Sequence, residues 1–385
     1  MDVLDQILAR FAEAAARPLD YAKQWKAAKG KPVVGLLPMH FPGEIAHSAG
    51  ALPTILQEDD EPVAAGLGSI FSFYCGFNRS LCDQLVRGEF NDLDAVMCGD
   101  HCVQLLGTAD AIRARAPQIP VLFNQLITSM SMPWAFDEAR RTFVSLKEEL
   151  ERVLTRKITD DDLRASIRLF NKDRGLMRRL YELRRAGKIS ISARQLQQIV
   201  KSSMVMDKAE HIGLLEQLLA DLDTKGSPSN AIRVYLSGHF CHAPKPEILD
   251  LIEECGAIVV DDDLFHGYRY IATDMDEAGD PLDALTKWYF AHNREVPCAT
   301  LADKNADLDD FLLNAVNRSH AQGLIILLVK FCEPHMYVYP EIKEKFEKAG
   351  IPHLLVETEH DGIPLEALKT RLETFLEIAR RRAAA

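Results

Sequence analysis

Gly323-Leu-Ile-Ile-Leu-Leu-Val-Lys-Phe-Cys-Glu-Pro334 decides the fold class. Its apolar run, Gly323–Val329, falls far short of the roughly 20 residues a membrane helix needs, and it reads as a strand buried on both faces, the signature of a parallel sheet. Working outward, Asp309–His320 and Pro281–His292 have helical spacing on one side. On the other side come a helix over Tyr339–Ala349 closed by Gly350, a strand over His353–Val356 and a last helix over Pro364–Arg382. That last helix ends in Arg380, Arg381 and Arg382, where cations complement the helix dipole. Further upstream, Ala231–Ser237 reads as a strand, Pro246–Cys255 as a helix with Gly256 just past its end, and Ala257–Val260 as a strand. Strands alternating with helices are the α/β pattern.

The N-terminal third repeats that alternation less clearly. Val3, Leu4, Ile7, Leu8 and Phe11 give an amphipathic helix ending before Pro18. Pro32–Pro38 encloses a short buried strand, Gly43–Ala49 is helical, and Leu93–Met97 and Gln118–Leu126 are two more short apolar stretches. From Ala135 to Asp223 the pattern is helical throughout, and Lys225-Gly-Ser-Pro-Ser-Asn230 is the best linker signal. The expected division is an N-terminal helical segment (1–30), a first α/β domain (31–134), a helical segment (135–224) and a second α/β domain (225–385). A chain of 385 residues exceeds the roughly 250–300 at which one core stops growing.

Composition narrows the partners. Lys and Arg total 45 against 57 acidic residues, a net charge of −12, which argues against nucleic acid and anionic lipid as ligands. Asp2 and Asp5 stand where a secretory signal is basic, so the expectation is a soluble, cytoplasmic protein. Neither G-x-x-x-x-G-K-[ST] nor a G-x-G-x-x-G after a strand occurs. ATP hydrolysis and ordinary dinucleotide binding are therefore not expected.

Eight cysteines are too few for a disulfide scaffold and lack zinc-ribbon spacing. Three of them stand in similar places. Cys332 follows the buried strand, Cys102 follows Leu93–Met97 through a short turn, and Cys75 follows the apolar segment Ile70–Tyr74. Ligands of open α/β sheets collect at the carboxyl ends of strands, so these three point to one object between two domains. Three thiolates without a fourth protein ligand suit an iron–sulfur cluster with one iron left open. Against this stands the ordinary fate of a strand-end cysteine, a buried small hydrophobe, assigned here to Cys82, Cys255 and Cys298. Cys98 and Cys241 each have a histidine close by in sequence and stay open, as does a zinc site from Cys98, His101 and Cys102.

Other polar residues carry two readings each. Glu44 begins a helix, as a cap or as a general acid/base. Arg269 follows Asp261–Asp263, to pair with them or to contact a phosphate or carboxylate. Ser237-Gly238 ends a strand where backbone N–H groups can meet an anion.

The segment Phe41-Pro-Gly-Glu-Ile-Ala-His-Ser-Ala-Gly-Ala-Leu-Pro53 resembles the P-x-E-I…G-x-x-P landmark of the 2-hydroxyacyl-CoA dehydratase / benzoyl-CoA reductase family. Similar landmarks follow in family order: Cys75-Gly-Phe-Asn-Arg-Ser80, Asp94-Ala-Val running to Cys102, Val259-Val-Asp-Asp-Asp with Gly267-Tyr-Arg-Tyr270, and Lys330-Phe-Cys-Glu-Pro334 with Tyr339-Pro340. The resemblance implies two flavodoxin-like (Rossmann-like) domains with parallel sheets and a [4Fe–4S] cluster held by Cys75, Cys102 and Cys332. It also implies a homologous second subunit and a separate ATP-hydrolysing iron–sulfur activator, in keeping with the missing phosphate loop. In length and N-terminal half the chain is most similar to the smaller substrate-side subunit of ATP-dependent benzoyl-CoA reductases. Single-electron dearomatisation of an aromatic acyl-CoA is thus the expected activity. Dehydration of a 2-hydroxyacyl-CoA by the same electron injection is the alternative, and a cluster-carrying scaffold subunit the third. Proton delivery is assigned to Glu44 and a histidine (His47 foremost, with His239 and His242), and the CoA tail to Arg79, Arg269, Ser237 and Gly238. Val103 stands where the family has Asp after the middle ligand, which leaves Cys98 in competition with Cys102.

Overall fold

The computed structural model describes residues 3–37, 42–224, 226, 230–238 and 240–383. Two helices open the chain, α1 (Val3–Ala16) and α2 (Pro18–Lys29). Pro18 ends the first and starts the second, since its fixed φ and missing N–H suit a first helical turn; apolar periodicity alone shows only α1. The first sheet follows: β1 (Val33–Leu36), α3 (Gly43–Ser48), β2 (Leu52–Ile55), α4 (Gly76–Val86), β3 (Ala95–Gly99), α5 (Val103–Arg115) and β4 (Val121–Asn124). Four helices come next, α6 (Ala135–Leu154), α7 (Asp160–Arg185), α8 (Ala193–Ser203) and α9 (Lys208–Asp221). Capping boxes at Thr159/Asp162 and Ser192/Gln195 set the starts of α7 and α8.

The second sheet contains β5 (Ile232–Gly238), α10 (Pro246–Glu254), β6 (Ala257–Asp262), α11 (Tyr268–Ile271), α12 (Pro281–Glu295), α13 (Leu308–Arg318), β7 (Gly323–Val329), α14 (Glu333–Lys348), β8 (His353–Thr358) and α15 (Leu365–Ala383). Gly323–Val329 is buried at every position, as its composition requires. Every pairing in both sheets is parallel. The orders are β2-β1-β3-β4 and β6-β5-β7-β8. Each sheet therefore reads 2-1-3-4 in its own count, the flavodoxin-like order, and each reverses direction between its first and third strands. The chain is an α/β protein of two such units.

Three expectations need correction. β2 is an additional strand; it carries Pro53, which is tolerated because β2 is an edge strand. Ile70–Tyr74 is no strand but a turn, with Phe71 and Phe73 exposed and stacked at 5.1 Å. Helix α14 starts at Glu333 rather than Tyr339, because Pro334 favours its first turn and Pro340 is accommodated inside it.

One apolar core runs from α1 through the first sheet and the middle helices into the second sheet, and a smaller one lies under α10 and α15. Helix α1 packs on α8 and α9, while α7 touches α3 on one side and β6 and α11 on the other. The two units also meet where α4 touches the loop after β8. A Cβ on Gly76, at the start of α4, would lie 2.5 Å from the His360 Cβ. Arg79 pairs with Glu359 across the same seam.

Candidate metal centre

Cys75, Cys102 and Cys332 occupy the same kind of position: each is the residue immediately before a helix, its N-cap, at α4, α5 and α14. The backbone N–H groups three residues on, of Asn78, Leu105 and His335, act on the respective sulfurs and favour thiolate, although none closes a regular capping bond. Three helix N-termini thus direct their partial positive charge at one region, an arrangement that favours an anionic occupant.

The three sulfurs lie within electrostatic reach of one another. Burial pushes the Cys102 thiol to about 11, and a Cys75 thiolate adds to this. Burial likewise raises Cys332 to about 12, with Cys75 and Cys102 contributing. Cys75 goes the other way. Burial acts upward on it, but the His242 ring and Asn78 more than offset that, and its pKa falls below the ordinary thiol value. Asn78 donates Nδ2–H to the Cys75 sulfur at 3.1 Å and is itself held by Thr108 at 2.6 Å. His242 Nδ1 bonds Glu58 at 3.2 Å, and the same carboxylate oxygen bonds His360 at 3.2 Å. Burial alone would lower the His242 pKa, yet Glu58 and Cys75 hold it up at about 10.

This donor set fits a cluster better than a single ion. Thiolates around one tetrahedral metal stand only about 4 Å apart. Among the described residues, the one set of three or more His, Cys, Asp or Glu ligand atoms lying within 4.8 Å of one another is Asp307, Asp309 and Asp310, away from the cysteines in sequence and largely exposed. The zinc alternative at Cys98, His101 and Cys102 therefore has no such geometry. Cys98 lies inside β3, fully buried, its thiol raised by burial to about 12. No disulfide joins any of the cysteines.

The residues assigned to substrate are otherwise engaged. Gly238 N–H donates to Asp263 Oδ1 at 3.0 Å, and the Ser237 side chain lies near the same carboxylate. Arg269 is 1% exposed and donates to the carbonyls of Asp263, Val296 and Pro297, with Asp263 Oδ2 at 3.4 Å. The anion at the end of β5 is the protein's own Asp263, paired with Arg269, so these three residues form an internal network. Arg79 is likewise committed to Glu359.

Glu44 forms a buried ion pair with Arg174 at 2.8 Å. Both line a narrow space walled by Phe170, Phe265, Tyr270 and Trp288, with Lys208 and His292. His47, one turn beyond Glu44, shares a 2.7 Å hydrogen bond with Ser166. Neither residue has a cysteine among these partners; the histidine at the sulfurs is His242. His239 lies outside the described residues.

The sequence of residues 38–379 matches the family described as 2-hydroxyglutaryl-CoA dehydratase, D-component. The chain belongs to this family. The match takes in β2 to β4 of the first sheet, the whole second sheet, the middle helices and all three N-cap cysteines, leaving out α1, α2 and β1. Among curated relatives, the lactoyl-CoA dehydratase beta subunit of Anaerotignum propionicum is 27% identical, over 98% of this chain and 100% of its own length. The (R)-phenyllactyl-CoA dehydratase beta subunit of Clostridium sporogenes is 25% identical, over 97% and 98%. A benzoyl-CoA reductase subunit of Thauera aromatica is 26% identical, over 96% and 97%. Members of the family are thus enzyme subunits of dehydratases and of a reductase. Among the described residues, no helix is long and apolar enough to cross a membrane.

Proposed function

We propose that this chain carries a [4Fe–4S] cluster on Cys75, Cys102 and Cys332 and works as a subunit of an enzyme acting on an acyl-CoA thioester. The observation that carries the proposal is that three helices, each with a cysteine at its N-cap position, bring those sulfurs within electrostatic reach of one another. Such a cluster supplies single electrons at potentials reaching down to about −700 mV. Around it, Asn78 and His242 hold the Cys75 sulfur in its anionic form, and the closely packed seam at Gly76 and His360 limits the access of water.

Reduction of an aromatic acyl-CoA ring remains the first reading, on the form of the N-terminal half. Dehydration of a 2-hydroxyacyl-CoA is the second, favoured by the names of two of the three relatives above. Subunit names among the relatives support a homologous second subunit as partner. The absence of a phosphate loop supports a separate ATP-hydrolysing iron–sulfur activator. The exposed side chains Phe71, Phe73, Val103, Phe331 and Tyr337, which flank the three cysteines, are an apolar surface suited to such contacts. We place the complex in the cytoplasm.

Anaerobic iron and sulfide analysis of the wild-type chain and of Cys332→Ala tests the cofactor. Iron should be lost from the variant; unchanged iron content removes the assignment. Assembly with partner subunits and activator, then assay on benzoyl-CoA and on a 2-hydroxyacyl-CoA, separates the two reactions.

A further inference from the structure

We propose that Cys241 is the fourth sulfur ligand of the same cluster, so that every iron corner is thiolate-bound and this chain relays electrons instead of binding substrate at iron. The inference rests on the cluster reading above and replaces its open iron with a closed one.

The argument starts from topology. In the second sheet the strand order reverses between β5 and β7, which pair side by side as far as Gly238 and Leu327. Loops leaving the carboxyl ends of those two strands form the crevice where such folds bind ligands. One loop carries Cys332; the other carries Phe240-Cys241-His242. Their approach is close, since a Cβ on Gly238 would lie 2.1 Å from the Leu327 carbonyl oxygen and 2.7 Å from the His335 ring. Gly238 also has φ of +109°, so a side chain is excluded there on two grounds.

The neighbours of Cys241 fix it between two proposed ligands. Phe240 packs its ring on His335, centroids 4.8 Å apart, in the first turn of the helix that Cys332 caps. On the other side the His242 ring packs edge-on against Phe77 at 5.8 Å, two residues beyond Cys75 in the first turn of α4. A residue whose two neighbours touch the surroundings of Cys332 and of Cys75 lies between them. Cys102, Cys75 and Cys332 all lie within electrostatic reach of Cys241. Four cysteines are the usual complement of a [4Fe–4S] cluster.

Cys298 does not compete for the role. Its sulfur shares a 3.1 Å hydrogen bond with Thr300, and the residue is buried.

The test uses the full chain, reconstituted anaerobically with iron and sulfide, as wild type, Cys241→Ala and Cys241→Ser. A cluster with one non-cysteine corner gives up that iron on mild oxidation, so ferricyanide should take the variants from about four irons per chain to about three while the wild type keeps its set. The reduced variants should show a changed electron paramagnetic resonance spectrum, and a small added thiol should restore the wild-type spectrum to Cys241→Ala, which a packing role would not allow. Variants matching the wild type in iron retention and spectrum overturn the proposal while leaving the three-cysteine reading intact. A wild-type chain that takes up no iron overturns both. If Cys241→Ala does not fold, Cys241→Ser decides by the same two readouts.

Discussion

The carboxamide of Gln104 accepts the Cys75 N–H through Oε1 at 2.7 Å and donates from Nε2 to the Phe331 carbonyl at 2.8 Å. Only that orientation of the amide satisfies both partners, since one is a donor and the other an acceptor. Gln104 stands two residues after Cys102, and Phe331 immediately precedes Cys332, so one buried side chain ties together the three segments that carry the proposed ligands. Phe331 has φ of +65°, an unfavourable conformation for a residue with a Cβ, and the bond from Gln104 helps to hold it. Loss of a group supporting a metal ligand typically weakens metal binding 10–100-fold. Gln104→Met should release iron to a chelator faster by about that factor, while the metal-free protein melts near the wild-type temperature. Gln104→Glu keeps the acceptor for Cys75 but not the donor for Phe331, and should fall between. Equal release rates in all three proteins would sink the clamp.

The choice between Cys98 and Cys102 follows from their places in the fold. Cys98 sits within β3 between Met97 and Gly99, pairs in register with Phe123 of β4, and is fully buried. Cys102 caps α5 beside the Gln104 clamp. Cys98→Ser should therefore retain full iron content, whereas Cys102→Ser should lose it. The measurement is iron per chain after identical anaerobic reconstitution, and the reverse pattern would reassign the middle ligand.

What the sequence disclosed and what it hid divide along a physical line. Gly323–Val329 and the long helices of the second unit were legible because burial and period leave a local imprint. β2 was not, since Pro53 in a four-residue edge strand resembles a turn. Arg269, Ser237 and Gly238 looked like ligand contacts because a strand end with an Arg and a Ser-Gly suits an anion. The anion is there, but it is Asp263, and nothing local indicates that a neighbouring strand supplies it. Gln104 and Asn78 were missed for the same reason, and His242 was read only as a proton donor: their contacts join segments distant in sequence. The His-Phe-Cys-His run after β5 was the one available signal for Cys241 and His242.

Three consecutive acids at the end of β6 have different fates. Asp261 pairs with Arg185 at 2.8 Å and Asp263 with Arg269, while Asp262 faces the Tyr181 hydroxyl at 2.7 Å and the backbone N–H groups of Leu264 and Tyr268. Burial, then the charge of Asp261, pushes Asp262 up to about 7. In the unfolded chain it ionises near its ordinary value of 3.8. The folded form thus holds a proton that the unfolded form has lost, and stability declines as pH rises from about 4 to about 7. Asp262→Asn removes that decline and keeps the hydrogen bonds, with the Tyr181 hydroxyl turned to accept. It should stabilise the protein at pH 8 by about 1–4 kcal/mol and by much less at pH 4. Denaturant titrations of both proteins at the two pH values check this; a gain independent of pH would contradict it.

The helical layer is pinned by one buried charge group. Asp173 of α7 accepts from Lys208 Nζ at 2.8 Å and the Ser203 hydroxyl at 2.6 Å, and bonds His211 Nδ1 at 2.6 Å. Lys208 and Asp173 are at most 3% exposed, and the ammonium lies 4.7 Å from the centre of the Phe170 ring. His211 packs against Phe11, which brings α1 into the same assembly. Burial opposes ionisation of Asp173, but His211 and Lys208 outweigh it and hold the carboxyl well below its usual range. Its contribution is present above about pH 4 and is lost as acid titrates the folded form below that. Removing one partner of a buried pair leaves an uncompensated charge, at a typical loss of about 3–5 kcal/mol. Lys208→Met should show a loss of that size at pH 7 in denaturant unfolding. Asp173→Asn combined with Lys208→Met should recover part of it, because the orphaned carboxylate is then gone. A single variant within about 1 kcal/mol of wild type, the normal range for exposed pairs, would mean that Asp173 finds its stabilisation elsewhere.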